Sequence, residues 1–206
     1  MTKLFNGKWN GHYDFDDAAN IAEIARVESY DVLEDASVYA DGDVIESPWG
    51  SNRVLTLTKE GDEDVCVKEI TVKPGYMLSL QRHFGRSEYW EVVEGTLGVV
   101  CNGSYVELPA GQGMTIPKGA VHCMVNPTSA PVTVRETQRG ICREKDNVRL
   151  ADMNDRPLYP LSSEEEYKSF KLYETLRSRI EEQRRALDGD LLHASPFEAQ
   201  GDSSGL

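Results

Sequence analysis

The middle of the chain carries two histidines, one carboxylate and one amide that together have the chemistry of a metal site. They are Gln81, His83, Glu88 and His122. On a β-strand, side chains two residues apart share a face, so Ser79, Gln81 and His83 would lie together. Three polar side chains on one face suit the wall of a polar cavity better than a hydrophobic core. Glu88 can return beside His83 through a short hairpin, and His122 follows a tight turn.

Imidazole nitrogens, a carboxylate oxygen and an amide oxygen form a mixed ligand set that binds divalent transition metals. Such a set leaves coordination positions open for water or substrate, and a metal ion with open positions can polarise a carbonyl or hydroxyl group. We therefore predict one divalent metal ion as the cofactor, with zinc as the first choice and manganese, iron, cobalt or nickel as alternatives. The spacing argues against the alternative that His83 and His122 are unrelated structural histidines.

Short apolar segments with β-branched residues surround these side chains and alternate with turns that contain Gly, Pro and Asn. This texture extends from residue 47 to about residue 134 and is typical of an all-β sandwich or barrel. Asn102-Gly103 favours a type I′ hairpin, because both residue types tolerate positive φ. The candidate strands are Arg53–Thr58, Val65–Val72, Leu78–His83, Glu88–Glu94, Leu97–Cys101, Ser104–Leu108, Gly113–Ile116, His122–Asn126 and Val132–Thr137.

Two helical segments flank the β-rich region. Asp16 to Val27 reads as a short helix with an aspartate cap and one apolar face. Ser163 followed by Glu166 is a capping-box pattern that begins a longer amphipathic helix, which would pack on the barrel or on a second subunit. The predicted organisation is an N-terminal extension (1–45), a barrel (46–156), a C-terminal helix (157–194) and a flexible tail (195–206).

The bulk composition excludes several classes of function. Lys and Arg total 22 against 35 Asp and Glu, which gives a net charge of -13. Such an acidic chain repels nucleic acids and anionic membranes, so we expect neither as a partner. The four cysteines have no CxxC spacing and are expected to be reduced thiols. Because the N-terminus has no apolar signal segment, we expect a soluble, cytoplasmic protein.

Two spaced motifs resemble those of the cupin superfamily. Gly75, Gln81, His83, Glu88 and Gly95 match the first cupin motif, with Gln in place of its first His. The second motif is matched at all its fixed positions, which are Gly111, Pro117, Gly119, His122 and Asn126. The resemblance implies an all-β fold, the cupin double-stranded β-helix (jelly-roll) barrel. Cupins commonly pair through barrel edges, so a homodimer is expected.

Four segments narrow the resemblance to the type II mannose-6-phosphate isomerase family. They are Pro48–Ser51, Val72–Trp90, Ile116–His122 and Asp146–Asp152. In many members this cupin is the C-terminal half of a bifunctional enzyme that also makes GDP-mannose, and nothing upstream here resembles the nucleotidyltransferase half. The resemblance implies the same metal ligands as the spacing does. At three positions where members of the family usually have histidine, this chain has Phe84, Gly85 and Tyr89. The family's C-terminal Tyr-Gly-Arg motif is replaced by Asn154-Asp155-Arg156.

The resemblance implies isomerisation of a sugar phosphate, most directly mannose 6-phosphate to fructose 6-phosphate. The reaction needs a base, an electrophile for the enediolate and a cation for the phosphate. We expect Arg149 to bind the phosphate, helped by Lys118 or Arg86, and Glu136 or Lys118 to act as the base. Ser79 is a further substrate-binding candidate on the polar strand face.

Alternatives remain at each level. Arg149 can instead form a surface ion pair, and Lys118 can be a solvated turn residue. The chain can be another metal-dependent cupin enzyme, such as an epimerase or a dioxygenase. It can also be a non-catalytic sugar-binding cupin that keeps the metal site.

Overall fold

A computed structural model describes residues 40–142, 146–154, 156 and 158–193. The predicted helix at 16–27 and the predicted tail at 195–206 lie outside this part of the chain. The described residues form eleven strands and one long helix. Their bounds are β1 (Val44–Ser47), β2 (Gly50–Glu60), β3 (Glu63–Val72), β4 (Leu80–Arg82), β5 (Arg86–Glu94), β6 (Thr96–Cys101), β7 (Ser104–Pro109), β8 (Gly113–Ile116), β9 (His122–Val125), β10 (Val132–Gly140), β11 (Val148–Ala151) and α1 (Glu164–His193).

The strands form two antiparallel sheets. The six-stranded sheet has the order β1-β2-β3-β10-β5-β8, and the five-stranded sheet has the order β11-β4-β9-β6-β7. Neighbours that are distant in sequence, such as β10 beside both β3 and β5, give the crossing connections of a jelly roll. The predicted all-β barrel with a C-terminal helix is therefore confirmed.

Most strands agree with the sequence prediction within a few residues, and two were missed. Strand β1 lies at the edge of its sheet with Val44 and Ile45 exposed. Its sequence therefore lacks the alternation of apolar and polar residues by which a half-buried strand is predicted. Strand β11 is only four residues long and follows a polar segment. Strand β4 is shorter than predicted, because Leu78 and Ser79 do not pair regularly and both line the cavity described below.

Two apolar clusters stabilise the fold. One includes Trp90 and Leu97, from strands of opposite sheets, and each such fully buried side chain contributes about 1.5–3 kcal/mol. The other joins the five-stranded sheet to α1 through Leu80, Val125 and Tyr173. The site therefore lies in a barrel that is packed both inside and on the outer face of one sheet.

Helix α1 packs on the barrel. Its capping box is present, since Glu166 N donates to Ser163 Oγ (3.2 Å) and Ser163 N donates to Glu166 Oε2 (3.2 Å). Tyr173, Leu176 and Ile180 form its buried stripe. Within the described residues, no helix combines the length and apolarity needed to cross a membrane.

A hairpin tip helps to position the histidine of β9. Asn102 and Gly103 have φ values of 46° and 70°, as the predicted type I′ turn requires. Asn102 N donates to Val121 O (2.8 Å), and Val121 N donates to Asn102 Oδ1 (2.9 Å). Because Val121 directly precedes His122, this reciprocal pair holds the start of β9 against the β6–β7 hairpin.

Candidate metal centre and cavity

Three of the predicted ligands meet in the barrel. Ligand atoms of His83, Glu88 and His122 all lie within 4.8 Å of one another. His83 Nε2 is 3.1 Å from Glu88 Oε1, and His122 Nε2 is 3.7 Å from Glu88 Oε2. All three residues are buried, with at most 3% of each exposed. The arrangement is consistent with a metal site.

The three side chains come from both sheets. His83 directly follows β4 and His122 opens β9, and these strands belong to the five-stranded sheet. Glu88 lies on β5 of the six-stranded sheet. A metal ion bound by all three would therefore connect the two sheets across the interior of the barrel.

Backbone carbonyls fix the tautomer of both histidines. His83 Nδ1 is 3.0 Å from Asp146 O, and His122 Nδ1 is 2.9 Å from Ala120 O. A carbonyl oxygen only accepts, so each Nδ1 carries the proton and each Nε2 is left with a lone pair. His122 Nε2 is buried and has no hydrogen-bond partner among the described residues. Such an orientation is typical of metal-binding histidines.

The spacing of the ligand atoms fits a transition metal. With metal–ligand bonds of about 2.1 Å, neighbouring ligand atoms lie about 3.0 Å apart at right angles and about 3.4 Å apart in a tetrahedron. The distances of 3.1 and 3.7 Å from Glu88 to the two histidines lie close to these values. The two distances are to different oxygens of Glu88, and the three residues are consistent with a site for a divalent ion.

The electrostatics give the protonation states that a metal requires. Burial, followed by the charge of Arg86, lowers the pKa of His83 to about 3. Burial likewise lowers the pKa of His122. Burial opposes the charged form of Glu88, but its close neighbours, which include the Arg86 guanidinium, hold the pKa of Glu88 well below its ordinary value. Neutral imidazoles and an ionised carboxylate are the forms that coordinate.

Gln81, the fourth predicted ligand, lies directly opposite His122 in the β4–β9 register. Its Oε1 accepts hydrogen bonds from Ser79 Oγ (2.9 Å) and Asn147 Nδ2 (2.8 Å). The side chain is thus fixed on the cavity side of β4, with its oxygen engaged by two donors. Its role as a ligand stays a prediction.

A polar cavity of about 80 Å³ reaches the candidate metal site through Glu88, which is one of its lining residues. Five of the predicted site residues line it, which are Ser79, Gln81, Arg86, Glu88 and Glu136. Arg149 and Lys118 are not among the lining residues. Arg149 pairs with Gln81 across β11 and β4, so it shares the face of Gln81, while Lys118 is exposed in the turn between β8 and β9. Of the nine predicted site residues, five line the cavity and three form the buried triad, with Glu88 belonging to both groups. Arg149 and Lys118 belong to neither.

Sequence reasoning missed several side chains of the cavity. They are Trp49, Asn52, Lys68, Gln138, Asn147 and Arg156. Lys68 carried a signal, because it shares a strand face with the buried residues Ile70 and Val72. Gln138 likewise alternates with buried positions along β10. A charged or amide side chain in phase with buried apolar ones indicates a polar cavity.

Glu136 is held beside Glu88 by two shared donors. Trp90 Nε1 donates to Glu88 Oε2 (3.0 Å) and Glu136 Oε1 (3.2 Å). Gln138 Nε2 donates to Glu88 Oε1 (3.0 Å) and Glu136 Oε2 (2.8 Å). Burial, together with the charge of Glu88, raises the pKa of Glu136 to about 8, while Lys68 Nζ lies 4.0 Å away from it. Two adjacent carboxyl groups thus have pKa values shifted in opposite directions.

The chain is similar in sequence to known proteins. A mannose-1-phosphate guanylyltransferase of Salmonella typhimurium is 41% identical over 101 residues, which are 49% of this chain and 20% of that protein. The alginate biosynthesis protein AlgA of Pseudomonas aeruginosa is 39% identical over 114 residues, 55% of this chain and 23% of that protein. The chain thus spans less than a quarter of the length of these relatives.

A sugar phosphate isomerase structure from Silicibacter pomeroyi, of the cupin superfamily, matches with 24% identity and a TM-score of 0.39, over 50% of this chain and 66% of that chain. The sequence model of the family described as mannose-6-phosphate isomerase, C-terminal, matches residues 34–152. That match covers more than half of the chain and includes all of β1 to β11. The chain therefore belongs to the type II mannose-6-phosphate isomerase family, as its cupin domain.

Proposed function

We propose that this protein is a metal-dependent sugar-phosphate isomerase that interconverts mannose 6-phosphate and fructose 6-phosphate. The observation that carries the proposal is the buried His83–Glu88–His122 set, whose Glu88 also lines a polar cavity. Family membership supports the choice of substrate, since the matching family is that of mannose-6-phosphate isomerases.

The reaction moves one proton from C2 of the aldose to C1 of the ketose and one hydroxyl proton from O2 to O1. Glu136 is the group we propose to take the C2 proton and return it to C1, because its buried carboxyl lines the cavity. A bound divalent ion would be held by His83, Glu88 and His122 and would supply positive charge to stabilise the enediolate. Gln81 is proposed as its fourth ligand.

The remaining cavity groups match the functional groups of a sugar phosphate. Asn52, Gln138 and Asn147 present amides suited to hydroxyl groups, and Ser79 is the hydroxyl donor predicted from the sequence. Arg156 lines the cavity, and 37% of its side chain is exposed. We therefore propose that Arg156 binds the substrate phosphate at the entrance of the cavity. Roles for Arg149 and Lys118 stay predictions.

Isomerase activity tests the proposal directly. Purified protein would be stripped with a chelator, loaded separately with zinc, manganese, cobalt or nickel, and assayed for fructose 6-phosphate formed from mannose 6-phosphate. We expect turnover with at least one ion. A protein that holds one ion per chain but shows no turnover with any of them would contradict the proposal and favour the non-catalytic sugar-binding alternative.

A Glu136→Gln variant tests the base. Loss of a general base lowers kcat by about 10²- to 10⁴-fold. We expect a loss in this range with unchanged metal content, and a kcat within threefold of the wild-type value would remove Glu136 from the mechanism. The predicted homodimer is checked separately, from the molar mass measured by light scattering as the protein elutes from a size-exclusion column.

A further inference from the structure

The guanidinium group of Arg86 lies among the proposed metal ligands. Arg86 Nη2 is 2.9 Å from His83 Nε2, and Arg86 Nε is 3.2 Å from Glu88 Oε1. Its Nη1 is 3.4 Å from Asp146 Oδ2, and only 3% of the residue is exposed. A buried cation is thus in contact with two of the three ligands and remains connected to the cavity, whose wall it forms in part.

The hydrogen-bond directions show what Arg86 does there. His83 Nδ1 faces the carbonyl oxygen of Asp146, so the imidazole proton is on Nδ1 and Nε2 has a lone pair. A guanidinium nitrogen only donates, so Arg86 Nη2 donates to that lone pair. Coordination of a metal ion through His83 Nε2 requires the same lone pair, which cannot serve both partners.

We propose that Arg86 competes with the metal ion for His83 and that metal binding releases its guanidinium group into the cavity, where it binds the anionic group of the substrate. The second half of this inference rests on the proposed function, because it takes the ligand to be a phosphate. Asp146 provides the pivot, since its carboxylate also accepts from Phe84 N (2.9 Å) and Gly85 N (3.0 Å) and so stays in place.

Two thermodynamic consequences follow. The intrinsic affinity for metal is reduced by the work of displacing Arg86, and the displaced group raises the affinity for phosphate. Coupling between two ligands is reciprocal, so phosphate must raise the affinity for metal by the same factor. The metal centre and the substrate site are then linked through one side chain.

Metal affinity measured by calorimetry with Mn²⁺ tests the competition. A hydrogen bond to a charged group corresponds to about a 10- to 100-fold change in an equilibrium constant. We therefore expect Arg86→Met to bind Mn²⁺ at least tenfold more tightly than the wild-type protein. Lys68→Met is the matched control, because Lys68 is a second buried cation of the same cavity whose Nζ pairs with Glu136. It should change the affinity by less than threefold.

Unchanged or weaker Mn²⁺ binding by folded Arg86→Met would overturn the inference. An equal gain in both variants would also overturn it, because it would show general charge repulsion in place of competition at one atom. A second measurement needs no variant: inorganic phosphate should raise the Mn²⁺ affinity of the wild-type protein several-fold, after correction for Mn²⁺–phosphate binding in buffer. No effect of phosphate would refute the coupling. Neither readout depends on turnover, so an inactive isomerase would leave the test intact.

Discussion

The ion pair between Arg82 and Glu166 offers the sharpest test of how α1 supports the barrel. Arg82 Nη2 lies 2.6 Å from Glu166 Oε1, with 2% and 0% of the two side chains exposed. Glu166 Oε2 also accepts from Ser162 N (2.7 Å) and Ser163 N (3.2 Å). One carboxylate therefore caps the helix and neutralises a buried cation on the strand that carries Gln81.

The expected cost of Glu166→Ala follows from these contacts. Removal of one partner of a buried ion pair costs about 3–5 kcal/mol, because the remaining buried charge loses its attraction to the opposite charge. Loss of the cap adds about 1 kcal/mol, since water can reach the partly buried backbone amides at the helix start. The sum is about 4–6 kcal/mol, which corresponds to a fall in Tm of about 10–20 °C for a domain of this size.

Chemical denaturation of a double-mutant cycle measures the interaction. Arg82→Met alone should also destabilise, and the combined variant should be more stable than the sum of the single effects predicts, by about 3 kcal/mol. Additive effects within about 0.5 kcal/mol would refute the reasoning, because they would show that the two side chains do not interact.

Three other predictions concern the site and its frame. His122→Ala should abolish binding of the metal ion, as measured by metal content after dialysis, and unchanged content would show that His122 is not a ligand. Gly50→Ala should lower the free energy of unfolding by at least about 2 kcal/mol, because φ is 147° and a Cβ would lie 1.8 Å from a backbone oxygen. Gly61→Ala, with open space around its Cβ, is the control and should cost less. Burial alone would raise the pKa of Asp152, but hydrogen bonds from Arg156 hold it below its ordinary value. The stability that Asp152 contributes is therefore complete above about pH 4 and is lost in stronger acid, so the cost of Asp152→Asn, about 2 kcal/mol at neutral pH, should shrink in denaturation curves at pH 2–3.

The barrel and the meeting of three candidate ligands could be predicted from the sequence because both depend on local patterns. Turn residues and segments of alternating apolar and polar residues recur along the chain. His83, Glu88 and His122 each lie only a few residues from a turn, so their positions depend on short stretches of sequence. The capping box at Ser163 was also predictable, since it involves residues three apart.

Contacts between distant segments were not predictable in the same way. The ion pair of Arg82 with Glu166 joins a strand to a helix more than eighty residues later in the sequence, and no local pattern predicts it. Lys118 was assigned to the site because we expected it near the barrel mouth; it is exposed in the turn before His122, and its role stays a prediction. Arg149 lies on a strand that was not predicted, so its direction could not be deduced.

The distribution of the proposed ligands over both sheets has a consequence for the stability of the folded barrel. Strands β4 and β9 share the register pair Gln81 with His122, and the residues before β4 continue the contact with β9 through Leu78 N, which donates to Met124 O (2.9 Å). An ion that binds the folded chain and not the unfolded one adds about 2.7 kcal/mol of stability at a free concentration one hundred times its Kd. The ion would add a connection between the two sheets, which the backbone ladders within each sheet do not supply. The free concentration of metal in the surroundings would then change the free energy of unfolding of the barrel.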